Sequence, residues 1–480
     1  MKKKNEIKYV RKDLKKSLKN RHIQLIALGG IIGSSFFLGT GYVISSIGPA
    51  AFLAYALGGI IVYMVMLCLG ELSVALPTSS SFVSYAAEFV SPAWACGVGW
   101  TYWINWVAYI PSECIAGGII MHHFFPLIPV FFWAICFGLL VTVINLTHVG
   151  AFGELEFWLA IIKITAIVFF IIAAILIFIG IIPIHGTHHM IGTKYITGDG
   201  GFFPKGKLII LTSMVMLLVN YQGSEIIGLA SAESENPAES IPKAVKSVSF
   251  RIIAIFLIPI FLLVLIFPWN SANLSQSVFA DVLSFYGMRW VSGVFTLVVL
   301  SAALSCANSG MYGTVRALYG LAKEGMAPRS LKMLNKNSVP QNAIIVTIVA
   351  VWIFLIISYF FSASSIFAAL LSISGFTGGI CWISICWSQY NFRKRLKQNG
   401  YSADDLKFKI KGFPYITQFA IWVQVGCLVF VIFNPALRVA CYFGLPALII
   451  PILIAYFKKI KIPTDRRAIS FAKSFPNRKI

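Results

Sequence analysis

Three ionisable residues lie inside long apolar stretches of this sequence: Glu113, Lys163 and Glu225. A charged group at the centre of a bilayer costs about 2.5–3.5 kcal/mol on insertion scales, so such residues mark function or pairing. A buried lysine can lose its proton, because desolvation disfavours the charged form. Lys163 is therefore a candidate for coupling proton movement to helix rearrangement. A fixed ion pair with a carboxylate, such as Glu156 seven residues earlier, is the alternative interpretation.

Glu113 lies on a polar helix face, since Thr101, Asn105 and Tyr109 precede it at intervals of four residues and Ser112 shares that face. A hydrogen bond to a neighbouring helix and a contact with a ligand both remain open for Glu113. A second continuous polar face is formed by Ser301, Ser305, Asn308, Ser309, Tyr312 and Arg316. These faces, with that of Lys163, predict a wet central cavity.

Two apolar stretches are interrupted by glycine and polar residues at corresponding places in two halves of the chain. The first reads LGGIIGSSFFLGTG over 28–41, and the sixth reads NYQGSEIIGLASAESENP over 220–237. Such a pair indicates an inverted-repeat transporter with its site near the bilayer midplane. A half-helix N-terminus attracts a carboxylate, and Gly33, Ser34 and Ser35 would leave the necessary N–H donors. Close packing of small residues is the alternative.

The composition is that of an integral membrane protein. The chain has 480 residues, 58% hydrophobic and only 12% charged, whereas soluble domains carry about 25% charged residues. A soluble enzyme is excluded on this ground. Nine cysteines lie mostly in apolar stretches without zinc spacing, and no Walker A motif or nucleophile elbow is present, so the sequence predicts neither a metal site, nor a cofactor, nor an ATP-driven module.

Stretches of about 20 apolar residues predict an all-α membrane fold with twelve transmembrane helices. The predicted spans are 23–46, 50–76, 93–121, 126–146, 155–182, 208–231, 248–269, 290–315, 341–361, 365–390, 414–433 and 437–457. The predicted organisation is a basic cytoplasmic tail (1–22), a first inverted repeat of helices 1–5 (23–182), a second of helices 6–10 (183–390), a cytoplasmic connection (391–413), helices 11 and 12 (414–458) and a second basic cytoplasmic tail (459–480).

The distribution of positive charge predicts the orientation. With the N-terminus inside, 33 of the 39 Lys and Arg fall on the cytoplasmic side and five on the opposite side, as the positive-inside rule requires. Both termini are then cytoplasmic, in a multi-pass protein of the cell (plasma or inner) membrane. The net charge of +22 needs no nucleic-acid partner. The tail 1–22 either lies along the anionic leaflet or only fixes the orientation.

Several stretches resemble the bacterial amino acid permeases, the amino acid transporter family of the amino acid–polyamine–organocation superfamily. The most specific are GSEIIGLASAESENP, within 221–245, and ANSGMYGTVRALYGLAKEG, from residue 307. RHIQLIALGGIIGSSFF (21–37), FGELEFWLAIIKITAI (152–167) and SGFTGGICW (374–382) also match. The resemblance covers roughly 20–460 in the order of the family.

This resemblance implies a five-plus-five inverted repeat with two extra helices that transports amino acids by alternating access. It assigns the substrate carboxylate to Gly33, Ser34 and Ser35, and the ammonium group to the carbonyls of Tyr221, Gln222, Gly223 and Ser224. Glu225 resembles the acidic residue beside that site, and Lys163 the fifth-helix lysine of proton-coupled members. The sequence GSSFF departs from the pattern, because many members have a second glycine where Ser35 stands.

The sequence therefore predicts a secondary active importer of free amino acids, with the proton as coupling ion and Lys163 and Glu225 as coupling residues. Glu113 is a further candidate substrate-binding residue. An amino acid exchanger on the same fold and a non-transporting amino acid sensor are the alternatives. Whether the substrate is cationic or neutral stays open, because Glu225 is shared by members with neutral substrates.

Overall fold

The described part of the chain is a bundle of helices and contains no strand. The computed structural model describes residues 32–78, 81–147, 152–183, 189–225, 241–243, 245–247, 250, 252–273, 276–335, 339–459 and 471–475. The main helices are α1 (Ser35–Ile47), α2 (Ala51–Ala75), α3 (Ser81–Phe89), α4 (Pro92–Phe124), α5 (Val130–Thr147), α6 (Phe152–Phe178), α7 (Ile209–Leu218), α8 (Ile258–Ile266), α9 (Val278–Phe285), α10 (Arg289–Lys323), α11 (Gln341–Ile357), α12 (Ala363–Gln398), α13 (Tyr415–Phe430) and α14 (Val439–Phe457).

Nine helices of the described residues are long and apolar enough to cross a membrane, so the chain is a multi-pass membrane protein. One of the nine is the stretch Ile241–Ile266, which contains α8. Three shorter apolar helices, Ser35–Ile47, Val130–Leu146 and Ile209–Tyr221, overlap the predicted first, fourth and sixth spans. The total of twelve spans and the five-plus-five repeat stay predictions. The tail 1–22 and residues 23–31 lie outside the described residues.

Helix α4 is the centre of the bundle, and it packs against α5, α10, α12 and α14. Ser91 begins it, since the serine hydroxyl accepts the Trp94 N–H at 3.1 Å and Pro92 occupies the first turn, where its missing N–H has no cost. Both Asn105 and Glu113 are fully buried in this helix. A polar face in the middle of the bundle explains why the least apolar of the long helices is also the most buried.

The described backbone is irregular at both predicted interruptions. In α1 the residues Ser35–Gly39 form a π-helical turn before regular helix resumes at Thr40. After α7 the chain makes one 3-10 turn, Val219–Tyr221, and then leaves the helix, with Gln222 extended and Gly223 at φ +95°. Only glycine adopts that φ readily. These two irregular segments pack against each other.

Helix α12 is longer than its predicted span and ends at Gln398, so the predicted connection 391–413 begins as helix. Its extension carries Arg393, which contacts Glu71 near the end of α2. The Glu71 carboxylate is fully buried and accepts hydrogen bonds from Arg393 Nε at 2.6 Å, Arg393 Nη2 at 2.7 Å, Gln389 Nε2 at 2.7 Å and the Ile410 N–H at 2.7 Å. We call this side of the bundle the Glu71 end; it is the side predicted to be cytoplasmic.

A piece of the predicted C-terminal tail packs at the Glu71 end. Phe471, which is 2% exposed, lies with its ring centroid 6.0 Å from those of both Phe89 in α3 and Phe392 in α12. Phe475 stacks on Phe471 at 5.1 Å. These four residues form the tail cluster, which joins residues 471–475 to α3 and α12. The intervening tail residues 460–470 lie outside the described residues.

A cluster of aromatic rings packs around α9. The ring of Phe279 lies 5.0 Å from Phe36 and 5.5 Å from Phe37, both in the π-helical turn, and 4.8 Å from Phe170 in α6. Two residues later, Asp281 accepts a hydrogen bond from Gln276, while its second carboxyl oxygen has no partner among the described residues. Burial raises the pKa of Asp281 to about 7.

Candidate functional site

The two interruptions are joined by a buried chain of hydroxyl and amide groups. The Tyr55 hydroxyl of α2 lies 2.6 Å from Thr40 Oγ1 in α1 and accepts from Asn220 Nδ2 at 2.7 Å. The Tyr221 hydroxyl donates to the Tyr55 carbonyl at 2.7 Å. All four of these side chains are buried. The first and sixth spans therefore meet through Tyr55 of α2, which is 165 residues from Asn220.

At the first interruption, the backbone N–H of Ser34 donates to Glu113. Its distances to Oε2 and Oε1 of the carboxylate are 3.0 Å and 3.2 Å. The Tyr109 hydroxyl, one turn earlier in α4, lies 3.2 Å from Ser35 Oγ. The predicted donors Gly33, Ser34 and Ser35 are thus brought to the predicted polar face of α4, and one of them is occupied by a carboxylate of the chain itself.

Gly33 permits this close approach because it has no side chain. A Cβ at Gly33 would lie 2.5 Å from Glu113 Oε1, 2.5 Å from the Tyr109 hydroxyl and 2.9 Å from Cys306 Sγ. Contacts of that kind cannot form without displacing both polar groups from the start of α1. The Ser34 hydroxyl is fully buried and has no hydrogen-bond partner among the described residues.

At the second interruption, the carboxylate of Glu225 folds back onto the backbone. The Gly223 N–H donates to its two oxygens at 3.1 Å and 3.2 Å, the Tyr102 hydroxyl to one of them at 3.3 Å, and Trp382 Nε1 to the other at 3.3 Å. Ser224 Oγ donates to the Tyr221 carbonyl at 2.8 Å. The carboxylate is buried, and it is the acceptor in each of these four hydrogen bonds.

Between the two interruptions lies an amide cluster on α4 and α12. Gln222 Nε2 donates to the Ser374 carbonyl at 3.1 Å, and the Ser374 hydroxyl donates to Gln222 Oε1 at 3.1 Å and to Asn105 Oδ1. The Asn105 Nδ2 group is buried without a partner among the described residues. An unsatisfied buried donor is costly, so this atom is a natural contact for a bound polar molecule.

Lys163 is fully buried in α6 and donates to Ser305 Oγ of α10 at 2.8 Å. The next residue of α10, Cys306, lies against Gly33, so this part of α10 joins Lys163 to the neighbourhood of Glu113. The predicted polar face of α10 therefore faces both α6 and α5, where Asn145 Nδ2 donates to Asn308 Oδ1 at 2.8 Å. The alternative partner Glu156 lies in a helix turn whose side chains are outside the described part.

Helix α4 serves both interruptions. Tyr102 contacts Glu225, whereas Tyr109 and Glu113 contact the start of α1. At about 1.5 Å per residue, Tyr102 and Glu113 are roughly 16 Å apart along the helix axis. Sequence reasoning missed Tyr102 and Trp382 as neighbours of Glu225. Tyr102 was detectable, since it precedes Tyr109 by seven residues and so belongs to the same face.

Comparisons with known proteins agree with this architecture. The sequence profile of the family described as Amino acid permease matches residues 22–470. Amino-acid permease RocC of Bacillus subtilis is 36% identical, over 91% of this chain and 93% of that protein. The Gamma-aminobutyric acid permease of the same organism is 38% identical, over 88% and 89%. Lysine-specific permease LysP of Escherichia coli is 35% identical, over 87% and 86%.

Among solved structures, a manganese transporter of Eremococcus coleocola superposes with a TM-score of 0.56, over 92% of this chain and 94% of that one. The sequences are 12% identical. At that identity the superposition speaks for a shared fold alone.

Proposed function

Because the chain belongs to the amino acid permease family, which is a family of transporters and not of enzymes, we propose that it imports amino acids by proton symport with alternating access. The observation that carries the proposal is the meeting of the two helix interruptions in a buried polar site. Backbone groups released by broken helices within a membrane need partners from the protein or from a ligand. Here two buried groups, Ser34 Oγ and Asn105 Nδ2, have no hydrogen-bond partner within the part of the chain that the structure describes.

In the proposed bound state, the substrate carboxylate lies at the start of α1 and the ammonium group at the carbonyls that follow α7. Gly33, Ser34 and Ser35 supply the positive end of a helix dipole, and Tyr221, Gln222, Gly223 and Ser224 supply acceptors outside the helix. Glu225 adds negative charge on the ammonium side, which matches the polarity of a zwitterionic substrate.

Lys163 is the proposed proton carrier, together with Glu225. Its amine donates to Ser305 Oγ, so its charge state affects the contact between α6 and α10. Loss of the proton would weaken this hydrogen bond and loosen α6 from α10. A proton moving down 100 mV supplies about 2.3 kcal/mol, a useful drive for accumulation.

The test is uptake of labelled amino acids into proteoliposomes with and without a protonophore. The panel contains L-lysine, L-histidine, L-alanine and 4-aminobutyrate, since relatives are named for lysine, histidine and 4-aminobutyrate. We expect accumulation of at least one, abolished by the protonophore and by Lys163→Ala. The matched control is Lys407→Ala, an exposed lysine outside the helices.

Counterflow without a pH gradient separates coupling from folding. Lys163→Ala should retain counterflow, because exchange of bound substrate needs no net proton movement. Undiminished accumulation driven by a pH gradient in Lys163→Ala would refute the proton carrier. Uptake that depends on internal substrate and not on the gradient would identify an exchanger, and binding without counterflow would identify a sensor.

A further inference from the structure

Two carboxylates can accept a hydrogen bond from the Ser34 N–H. In the structure it donates to the Glu113 carboxylate at 3.0 Å and 3.2 Å. In the proposed function it is a donor for the substrate carboxylate. Both carboxylates, that of Glu113 and that of the substrate, are attracted by the same N–H group and the same helix dipole. One N–H group has a single hydrogen to share between them.

The residues around Glu113 fix the position of its carboxylate. Gly33 leaves room for its carboxylate, the Tyr109 hydroxyl lies beside it against Gly33, and Ser35 Oγ holds that hydroxyl at 3.2 Å. Glu113 itself is fully buried. Breaking a charge-assisted hydrogen bond of a buried carboxylate costs less free energy when another anion takes its place at the donor.

Two neighbouring groups are suited to the exchange. The Ser34 hydroxyl is fully buried next to the Ser34 N–H, so it lies within reach of any carboxylate at the start of α1. Lys163, which is fully buried and donates to Ser305 Oγ of α10 at 2.8 Å, supplies a buried amine in this part of the bundle. Only one carboxylate at a time can occupy the start of α1.

We propose that Glu113 is an internal competitor for the substrate: its carboxylate fills the anion position at the start of α1 in the empty site, and the substrate carboxylate binds by displacing it. This rests on the proposed function and deepens it. Glu113 then has a different role from a direct substrate contact. An amine that lacks the carboxylate leaves Glu113 in place, so recognition of the carboxylate becomes linked to movement of α4 against α1.

The test compares an amino acid with its α-amide in a binding assay on the purified full chain. The probes are L-lysine and L-lysinamide, or the amino acid with the highest uptake in the panel above and its own α-amide. In Glu113→Gln we expect the amino acid to bind roughly tenfold more tightly, because a competing charge-assisted hydrogen bond no longer has to be broken. Binding of the amide should stay unchanged.

Two further variants make the result decisive. Glu113→Asp keeps the charge but withdraws it by one methylene, and should also tighten amino acid binding, so it answers the question if Glu113→Gln does not fold. Cys114→Ala, the next buried position of α4, should change neither affinity. Weaker binding of the amino acid, or an equal change for both probes, overturns the proposal. If the wild-type chain binds no amino acid of the panel, the proposed function fails instead.

Discussion

The buried ion pair between Glu71 and Arg393 makes the sharpest stability prediction. Arg393 supplies two of the four hydrogen bonds that the Glu71 carboxylate accepts, at 2.6 Å and 2.7 Å, and the side chains are 6% and 0% exposed, respectively. Removing one partner of a buried pair leaves a charge without compensation, at a cost of about 3–5 kcal/mol. Arg393→Met keeps much of the side-chain volume, so this cost arises mainly from the lost charge and hydrogen bonds.

A second variant, Glu71→Gln, removes the carboxylate charge that Arg393→Met leaves without a partner. Glu71→Gln keeps an oxygen acceptor for the Ile410 N–H, which donates at 2.7 Å. Burying a neutral amide costs far less free energy than burying an unpaired carboxylate. The double variant Glu71→Gln, Arg393→Met should therefore recover about 2 kcal/mol of the loss caused by Arg393→Met alone.

The assay is denaturant titration in detergent micelles, which gives the free energy of unfolding of each variant. Lys409→Met is the control, because Lys409 pairs with Asp404 while the two side chains are 43% and 81% exposed. An exposed pair should cost at most about 1 kcal/mol. The reasoning is refuted if Arg393→Met costs no more than Lys409→Met, or if the double variant is less stable than Arg393→Met.

Three further predictions use other parts of the bundle. Asp281 keeps its proton in the folded state up to a pKa of about 7, whereas in the unfolded state it loses the proton at its ordinary pKa. The free energy of unfolding should therefore fall by at least about 1 kcal/mol as pH rises between these two pKa values. Asp281→Asn should remove this pH dependence in denaturant titrations at pH 5 and pH 8. Gly375→Ala places a Cβ 1.9 Å from the Val215 carbonyl oxygen and should lower the melting temperature, whereas Gly426→Ala, with nothing within 4 Å, should leave it unchanged or raise it. Phe471→Ala should release residues 471–475 from the tail cluster. Amide hydrogen exchange in 471–475 should then become faster while the free energy of global unfolding stays unchanged.

Local sequence signals predicted two places where the described backbone is irregular. Gly33 and Gly223 mark them because a missing side chain, or a positive φ, is needed at the position itself. The π-helical form of Ser35–Gly39 was not predictable, since it depends on packing against Phe279 and the 3-10 turn of the sixth span. The apolar periodicity that predicted the helices carries no information on such packing.

Long-range pairings were out of reach of the sequence. Glu71 lies near the end of its predicted span, and the apolar pattern ends before the helical extension that carries its partner Arg393, 322 residues away. The sequence predicted that Glu113 lies on a polar helix face, but its hydrogen bond from the Ser34 N–H, 79 residues away, required the structure. Polar stripes indicate a buried face, and only packing decides which atoms meet.

The π-helical turn Ser35–Gly39 gives this segment one residue more than an α-helical turn holds. Deleting one residue within it would restore regular helix, and Gly33 and Ser34 would keep nearly their present orientation relative to Thr40. In the regular part of α1, Thr40–Ile47, the same deletion would rotate the two sides by about 100° relative to each other. A single-residue deletion should therefore be less harmful within Ser35–Gly39 than within Thr40–Ile47.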